Sequence, residues 1–226
     1  MKVIELGKNV LAANDVEAEA LRARMRAEGR LLINLMSAPG SGKTTLLSRL
    51  IGDMRDIAFG VMEADIESCV DAERIEALGA RAIQAHTGGM CHMDAYMTSA
   101  ALSEMGADGL DIVFLENVGN LICPAEYDTG AGLKIMILSV PEGDDKPLKY
   151  PLMFRESDAL VITKTDALGY FDFDMGKCAE RAKKLNPAIE IFPVSAKTGE
   201  GINKLEDYLR GKLNILRNNK GRGTQA

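Results

Sequence analysis

The string SAPGSGKTT, residues 37–45, limits what this chain can fold into more than any other feature, because it falls directly between the apolar run LLINLM and the helical pattern LLSRLI. Small residues between a strand and a helix let backbone N–H groups turn inward while the helix N-terminus aims its positive end at the same point, which makes a cradle for phosphate. Gly40 and Gly42 permit that wrap, with Ser41 between them and Thr45 after them. Lys43 is placed to reach the β- and γ-phosphates of a nucleotide, and the Thr44 hydroxyl to ligate Mg²⁺. Ser37 stands where such loops usually begin with Gly. An ordinary Gly-rich turn is the plainer reading, but the strand, the GKT triplet and the helix together argue against it.

Six further runs rich in Ile, Val and Leu follow: IAFGVM from 57, RAIQA from 81, DIVFLE from 111, LKIMILSV from 133, ALVITK from 159 and IEIFPV from 189. They barely alternate in polarity, which suits a parallel sheet covered on both faces. Between them lie helical patterns at Asp15 to Glu28, Lys43 to Arg55, Asp71 to Leu78, Asp94 to Met105, Met175 to Leu185 and Asn203 to Leu213. The rhythm predicts an α/β fold of the P-loop NTPase kind: a doubly wound, mostly parallel sheet flanked by helices, with ligands at the carboxyl ends of the strands. At 226 residues the expectation is one domain. Residues 1–29 read as an N-terminal strand and helix arm, 30–215 as the domain itself, 216–226 as a disordered tail, and 141–151 as a polar loop.

Several function classes drop out. Lys and Arg total 27 against 33 acidic residues, with no basic stripe for a nucleic-acid backbone. Glu5, Asp15 and Glu17 break any secretory signal, and no run approaches the ~18 apolar residues of a membrane span, so the chain reads as cytoplasmic. Four widely spaced cysteines in a reducing compartment are then free, catalytic or metal-binding.

Three more motifs face the same crevice. TKTD, Thr163 to Asp166, follows a strand and resembles the base-reading NKxD of GTPases. Guanine presents two donors that one carboxylate accepts as a pair, whereas adenine N1 would be repelled, so Asp166 selects GTP and Lys164 lies along the base. Thr163 replaces the usual Asn, leaving the tie back to the phosphate loop weakened or made by a hydroxyl. SAKTG, with Ser195, Ala196 and Lys197, resembles the second guanine-contacting loop. Asp65 is a candidate Mg²⁺ ligand, directly or through water, or an orienter of the attacking water, with a helix cap as the plainer reading. ENVG, Glu116 to Gly119, resembles the DxxG switch with Glu for Asp, and puts a backbone N–H at Gly119 in reach of the γ-phosphate. No Gln is evidently placed to position water and no Arg finger is apparent, which predicts slow hydrolysis by an isolated monomer. Lys43, Asp65, Glu116 and Gly119 are thus the catalytic candidates.

Taken together, SAPGSGKTT, EADIES, TGGMCHMDA, ENVGNLICPAEYDTG, SVPEGDDKP and TKTD resemble the hydrogenase nickel-incorporation GTPase family, HypB, over about residues 10–214. The resemblance implies a Mg²⁺-dependent GTPase that homodimerises on GTP and helps deliver nickel to the [NiFe]-hydrogenase large subunit with a HypA metallochaperone. In that family a Cys-His pair and a following Cys form a Ni²⁺ or Zn²⁺ site; here these are Cys91, His92 and Cys123, donors of the right softness. Cys123 follows Gly119 within the same loop, so nucleotide state can move a metal ligand. Neighbouring residues rarely close a chelate on one ion, which suggests that one chain supplies too few ligands and that a two-fold dimer shares the site.

Cys69 and Cys178 read as packing residues, His86 as structural, and Met90, Met93 and Met97 as core filling. Lys149 matches a family position proposed to reach the partner's nucleotide, and an ordinary surface lysine is the alternative. The Cys-rich N-terminal motif and His-rich tract of some members do not occur here. Competing readings are the urease-accessory GTPase, which would show Cys-Pro-His where CHMD stands, a dimerising ATPase, which would carry a Lys where Ala38 stands, and a metal-binding protein whose nucleotide regulates assembly without turnover.

Overall fold

The computed structural model describes the backbone of residues 6–64 and 69–223 and the side chains of 11–64 and 73–220. Its elements run α1 (Leu6–Glu28), β1 (Leu31–Ser37), α2 (Lys43–Asp53), β2 (Phe59–Glu63), α3 (Cys69–Ala77), β3 (Arg81–Gln84), α4 (Ala95–Met105), β4 (Ile112–Glu116), α5 (Cys123–Glu126), β5 (Leu133–Ser139), α6 (Lys146–Lys149), α7 (Pro151–Glu156), β6 (Ala159–Thr163), α8 (Met175–Leu185), β7 (Glu190–Pro193) and α9 (Ile202–Gly223). All seven apolar runs are strands of one sheet, ordered β3-β2-β4-β1-β5-β6-β7, and every pairing is parallel.

The unbroken apolar runs have a simple cause. Successive residues of a strand point to opposite faces, and both faces are covered. On one face Leu31, Ile33 and Leu35 of β1 pack with Leu46, Leu47 and Leu50 of α2 and Leu205, Leu209 and Leu213 of α9. On the other, Leu32 of β1 joins Met62, Val113 and Leu115 beneath Leu21 and Met25 of α1 and Leu102 and Met105 of α4. Farther along, Met36, Leu138 and Ile162 meet Met153 and Phe154 of α7 and Cys178 and Ala182 of α8. Since β4 and β5 flank β1 on opposite sides, the chain reverses its winding there, opening the crevice in which ligands of such sheets bind.

Three expectations change. The first helix starts at Leu6, not Asp15, and is part of the sheet's cover: Ala18, Leu21 and Met25 are buried, and Asn14 and Arg22 reach across to Asp128. Residues 216–223 continue α9, because Arg217 donates to the Gly29 carbonyl and pairs with Asp111; residues 224–226 lie outside the described residues. The stretch read as a loop at 141–151 contains α6 and the start of α7, whose Met153 and Phe154 are fully buried.

Candidate nucleotide and metal site

β1 ends at Ser37, and the backbone turns through Gly42 (φ 96°), the residue that caps α2 in the left-handed region glycine tolerates. Ser37 is a working part of this loop. Its fully buried hydroxyl accepts from Ser41 Oγ at 2.7 Å and from Lys43 Nζ at 3.1 Å, so the ammonium is held beside the cradle. Thr44 Oγ1 points across to the end of β4, 3.3 Å from Glu116 Oε1. Two hard oxygen donors thus converge beside the phosphate loop, the donor chemistry that Mg²⁺ takes. Thr45 is exposed beside them, and Asp65, the other Mg²⁺ candidate, lies outside the described residues.

The TKTD loop, residues 163–166, closes over the cradle. Thr163 Oγ1 donates to the Ser41 carbonyl at 2.7 Å, so the tie to the phosphate loop is made by a hydroxyl. Lys164 sits in the left-handed region at φ 59° and donates to the Gly40 carbonyl at 2.7 Å; among the described residues it is the one non-glycine with positive φ, and such strain tends to gather at functional loops. Asp166 is exposed, with Oδ1 accepting from Ser195 Oγ at 2.7 Å, so the loop after β7 orients the carboxylate. Ala196 and Lys197 continue that loop toward solvent.

Gly119 presses against the phosphate loop. A Cβ there would stand 2.9 Å from Pro39 Cγ and 3.1 Å from Pro39 Cα, so only glycine allows the approach. From Gly119 the chain runs through Asn120, whose Oδ1 accepts from Ile122 N, to Cys123 at the start of α5. The loop carrying Cys91 and His92 is pinned at both ends, by Thr87 Oγ1 donating to the Met90 carbonyl and by Asp94 capping α4. It places Cys91 Sγ 2.7 Å from Cys123 Sγ and 3.8 Å from His92 Nδ1, and the three ligand atoms all lie within 4.8 Å of one another. A single chain thus brings all three ligand atoms together, because the pinned loop sets Cys91 and His92 beside Cys123.

The electrostatics suit a soft divalent cation. Burial lowers the His92 pKa, opposed by Asp94 and Glu126, and so favours the neutral ring that coordinates metal. Tyr127 stacks on that ring with centroids 3.8 Å apart, fixing its plane. The Cys123 pKa is raised, first by its hydrogen bond with Cys91 and then by burial. Two thiolates this close repel each other, and a bound cation removes that penalty. Two sulfurs and one imidazole nitrogen leave a tetrahedral ion one position open.

Other candidates fall elsewhere. His86 is exposed and outside the cluster, Met93 and Met97 pack in the core, and Met90 is exposed, correcting its reading as core filling. Cys178 is fully buried with its thiol pushed up to about 12; the Cys69 side chain is outside the described set. Lys149 pairs with Asp145 on its own helix. Sequence reasoning missed the role of Ser37, the stacking of Tyr127, and Asn117, whose side chain joins β1, β4 and the metal loop. Asn34, a polar break in LLINLM, is the one signal that pointed to that last network.

Over residues 31–193 the chain matches the family described as CobW/HypB/UreG, nucleotide-binding domain. It is 43% identical over 209 residues to the hydrogenase maturation factor HypB of Rhizobium leguminosarum bv. viciae, covering 92% of this chain and 70% of that protein. Identity to the hydrogenase/urease maturation factor HypB of Helicobacter hepaticus is 44% over 215 residues, 93% of this chain and 88% of that one. Among solved structures, HypB from Helicobacter pylori in complex with nickel superposes with a TM-score of 0.84 at 41% identity, covering 90% of this chain and 96% of that one. The 54 kDa signal recognition particle protein of Aeropyrum pernix in complex with GDP shares the fold alone, at a TM-score of 0.56 and 16% identity, over 85% of this chain and 49% of that one. No helix among the described residues is long and apolar enough to cross a membrane.

Proposed function

Because the chain belongs to the CobW/HypB/UreG family, in its HypB branch, we propose that it is a GTP hydrolase that handles nickel during maturation of [NiFe]-hydrogenase, with nucleotide state governing a Cys/His metal site. The observation that carries this reading is the joining of two sites by one segment: Gly119 touches the phosphate loop and Cys123, farther along, meets Cys91 and His92.

In this reading the loop 37–45 holds the phosphates, with Lys43 kept in place by Ser37. Asp166 accepts the guanine N1–H and N2–H₂, while Lys164 braces the base loop against Gly40. Mg²⁺ fits beside Thr44 and Glu116, with Asp65 as a further ligand, and when bound neutralises charge on the β- and γ-phosphates. The Gly119 N–H meets the terminal phosphate and reports its loss through the loop to Cys123. Ni²⁺, or Zn²⁺ in its place, is cargo at Cys91, His92 and Cys123, and the open fourth position suits hand-over. GTP favours a homodimer that completes the catalytic site, with Lys149 reaching the partner's nucleotide, and a HypA-type metallochaperone and the hydrogenase large subunit stand before and after the transfer.

Multiple-turnover hydrolysis of GTP and ATP, with and without nickel, tests the reading. It predicts turnover of GTP, no effective competition by ATP, and metal binding that differs between GDP and a GTP analogue. Absence of turnover would leave a nucleotide-regulated metal-binding protein, and equal use of ATP would overturn the base assignment. The Helicobacter hepaticus relative is named for both hydrogenase and urease, so apo-urease belongs beside apo-hydrogenase as an acceptor in transfer assays.

A further inference from the structure

We propose that Asn117 is the positioning residue that couples the nucleotide site to the metal site, by fastening the loop of Cys91 and His92 onto the segment that ends at Gly119. The inference rests on the nucleotide-governed metal site proposed above and names the contact through which the governing acts.

Asn117 is fully buried, one residue beyond Glu116 and two before Gly119. Its backbone N–H donates to the Leu35 carbonyl at 3.0 Å, so its main chain extends the β4 ladder beside β1. Its side chain does something else. Oδ1 accepts from the Val118 N–H at 2.9 Å and from the Met93 N–H at 3.1 Å, while Nδ2 donates to Asn34 Oδ1 at 3.0 Å. One amide oxygen therefore binds the switch segment and the residue next to His92 at once. Met93 is 1% exposed, its side chain locked in the core, so there is little slack between its N–H and the ligand that precedes it. A longer contact runs parallel, Asn120 Nδ2 to the Cys91 carbonyl at 3.5 Å.

The consequence is mechanical. Both halves of the metal site hang on the phosphate-sensing segment: Cys123 by chain connection, Cys91 and His92 through the Asn117 oxygen. A shift of residues 117–119 on gain or loss of the terminal phosphate must then move Met93, or break a buried hydrogen bond for which no solvent substitute is at hand.

The test uses the full chain, with Ni²⁺ affinity measured against a chromophoric chelator in the presence of GDP and of a non-hydrolysable GTP analogue. In the wild type the two affinities should differ by a factor within the roughly 5- to 150-fold range usual for coupled sites. In Asn117→Ala that ratio should fall to within about twofold of one, and Ni²⁺ should then shift the affinities of GDP and of the analogue by the same factor, as reciprocity demands. Asn117→Asp should restore the ratio, because a carboxylate still accepts from both N–H groups and the Asn34 amide can turn its NH₂ toward it. GDP affinity and the far-UV dichroism of the variants report folding. A wild-type-like ratio in Asn117→Ala overturns this inference alone, whereas a wild-type ratio of one overturns the reading beneath it. Hydrogen exchange at the Met93 amide needs no variant: protection that differs between the GDP and analogue states is expected, and equal protection overturns the inference even if Asn117→Ala fails to fold.

Discussion

Replacing Asp166 isolates the base assignment from everything else in the site. Its carboxylate is held by Ser195, which donates to Oδ1 at 2.7 Å, and the residue is otherwise exposed. Guanine would offer two donors to that carboxylate. Each is a hydrogen bond to a charged group, worth about 1.5–3 kcal/mol, so Asp166→Ala should cost about 3–6 kcal/mol, or roughly 10²- to 10⁴-fold in GDP affinity. Asp166→Asn is more telling, since its oxygen still accepts from Ser195 while its NH₂ now confronts a donor on guanine and would instead match the C2 carbonyl of xanthine. Titrations with fluorescent GDP and xanthosine diphosphate should show GDP weakened at least ~100-fold and the xanthine nucleotide gaining. The folded state should be little affected, because Asp166 is exposed and Ser195 keeps its partner. GDP affinity within a few-fold of wild type in Asp166→Asn would refute the assignment and move base recognition to another loop.

Gly119→Ala would put a methyl 2.9 Å from Pro39 Cγ. It should lower the GTP turnover number by about 10²–10³, the usual cost of losing one transition-state donor, with GDP affinity little changed by equilibrium titration. Cys123→Ala removes one of three ligands and should weaken Ni²⁺ binding at least ~10-fold by competition titration, leaving GTP binding intact. Metal binding should also release protons. With the Cys123 pKa raised in the metal-free fold, Ni²⁺ affinity should climb as pH rises toward that pKa and fall in acid, where the thiol keeps its proton; affinity independent of pH would argue against thiolate ligation. Leu21→Ala, at a 2% exposed position of α1, should cost about 2–5 kcal/mol and lower Tm by roughly 2–4 °C per kcal/mol in calorimetry, whereas a loosely appended arm would leave Tm unchanged.

How much was legible follows from where the controlling interactions lie along the chain. The strands were readable because a sheet covered on both faces requires consecutive apolar residues, and each phosphate or base motif sits within a few residues of a strand end. The last turns of α9 were not, since NNKGRG has poor intrinsic helicity and is held by Arg217 reaching to Gly29 and Asp111, contacts between residues far apart in sequence. Helix α7 was hidden by Pro151, which reads as a turn but serves at the first helical position. Ser37 looked like a departure from the usual glycine, and only the fold shows its hydroxyl gripping Lys43 and Ser41. The convergence of Cys91 with His92 depends on a loop conformation set by Thr87 and Asp94, which spacing alone does not reveal.

The central claim is that one segment serves both the terminal phosphate and the metal. A crystal of the chain with a GTP analogue and nickel, recorded at the nickel absorption edge, tests it most directly. The account predicts a single anomalous peak bonded to Cys91 Sγ, His92 Nδ1 and Cys123 Sγ, with the Gly119 N–H donating to the γ-phosphate in the same molecule. A nickel peak away from these three atoms, or a γ-phosphate out of reach of Gly119, would contradict it.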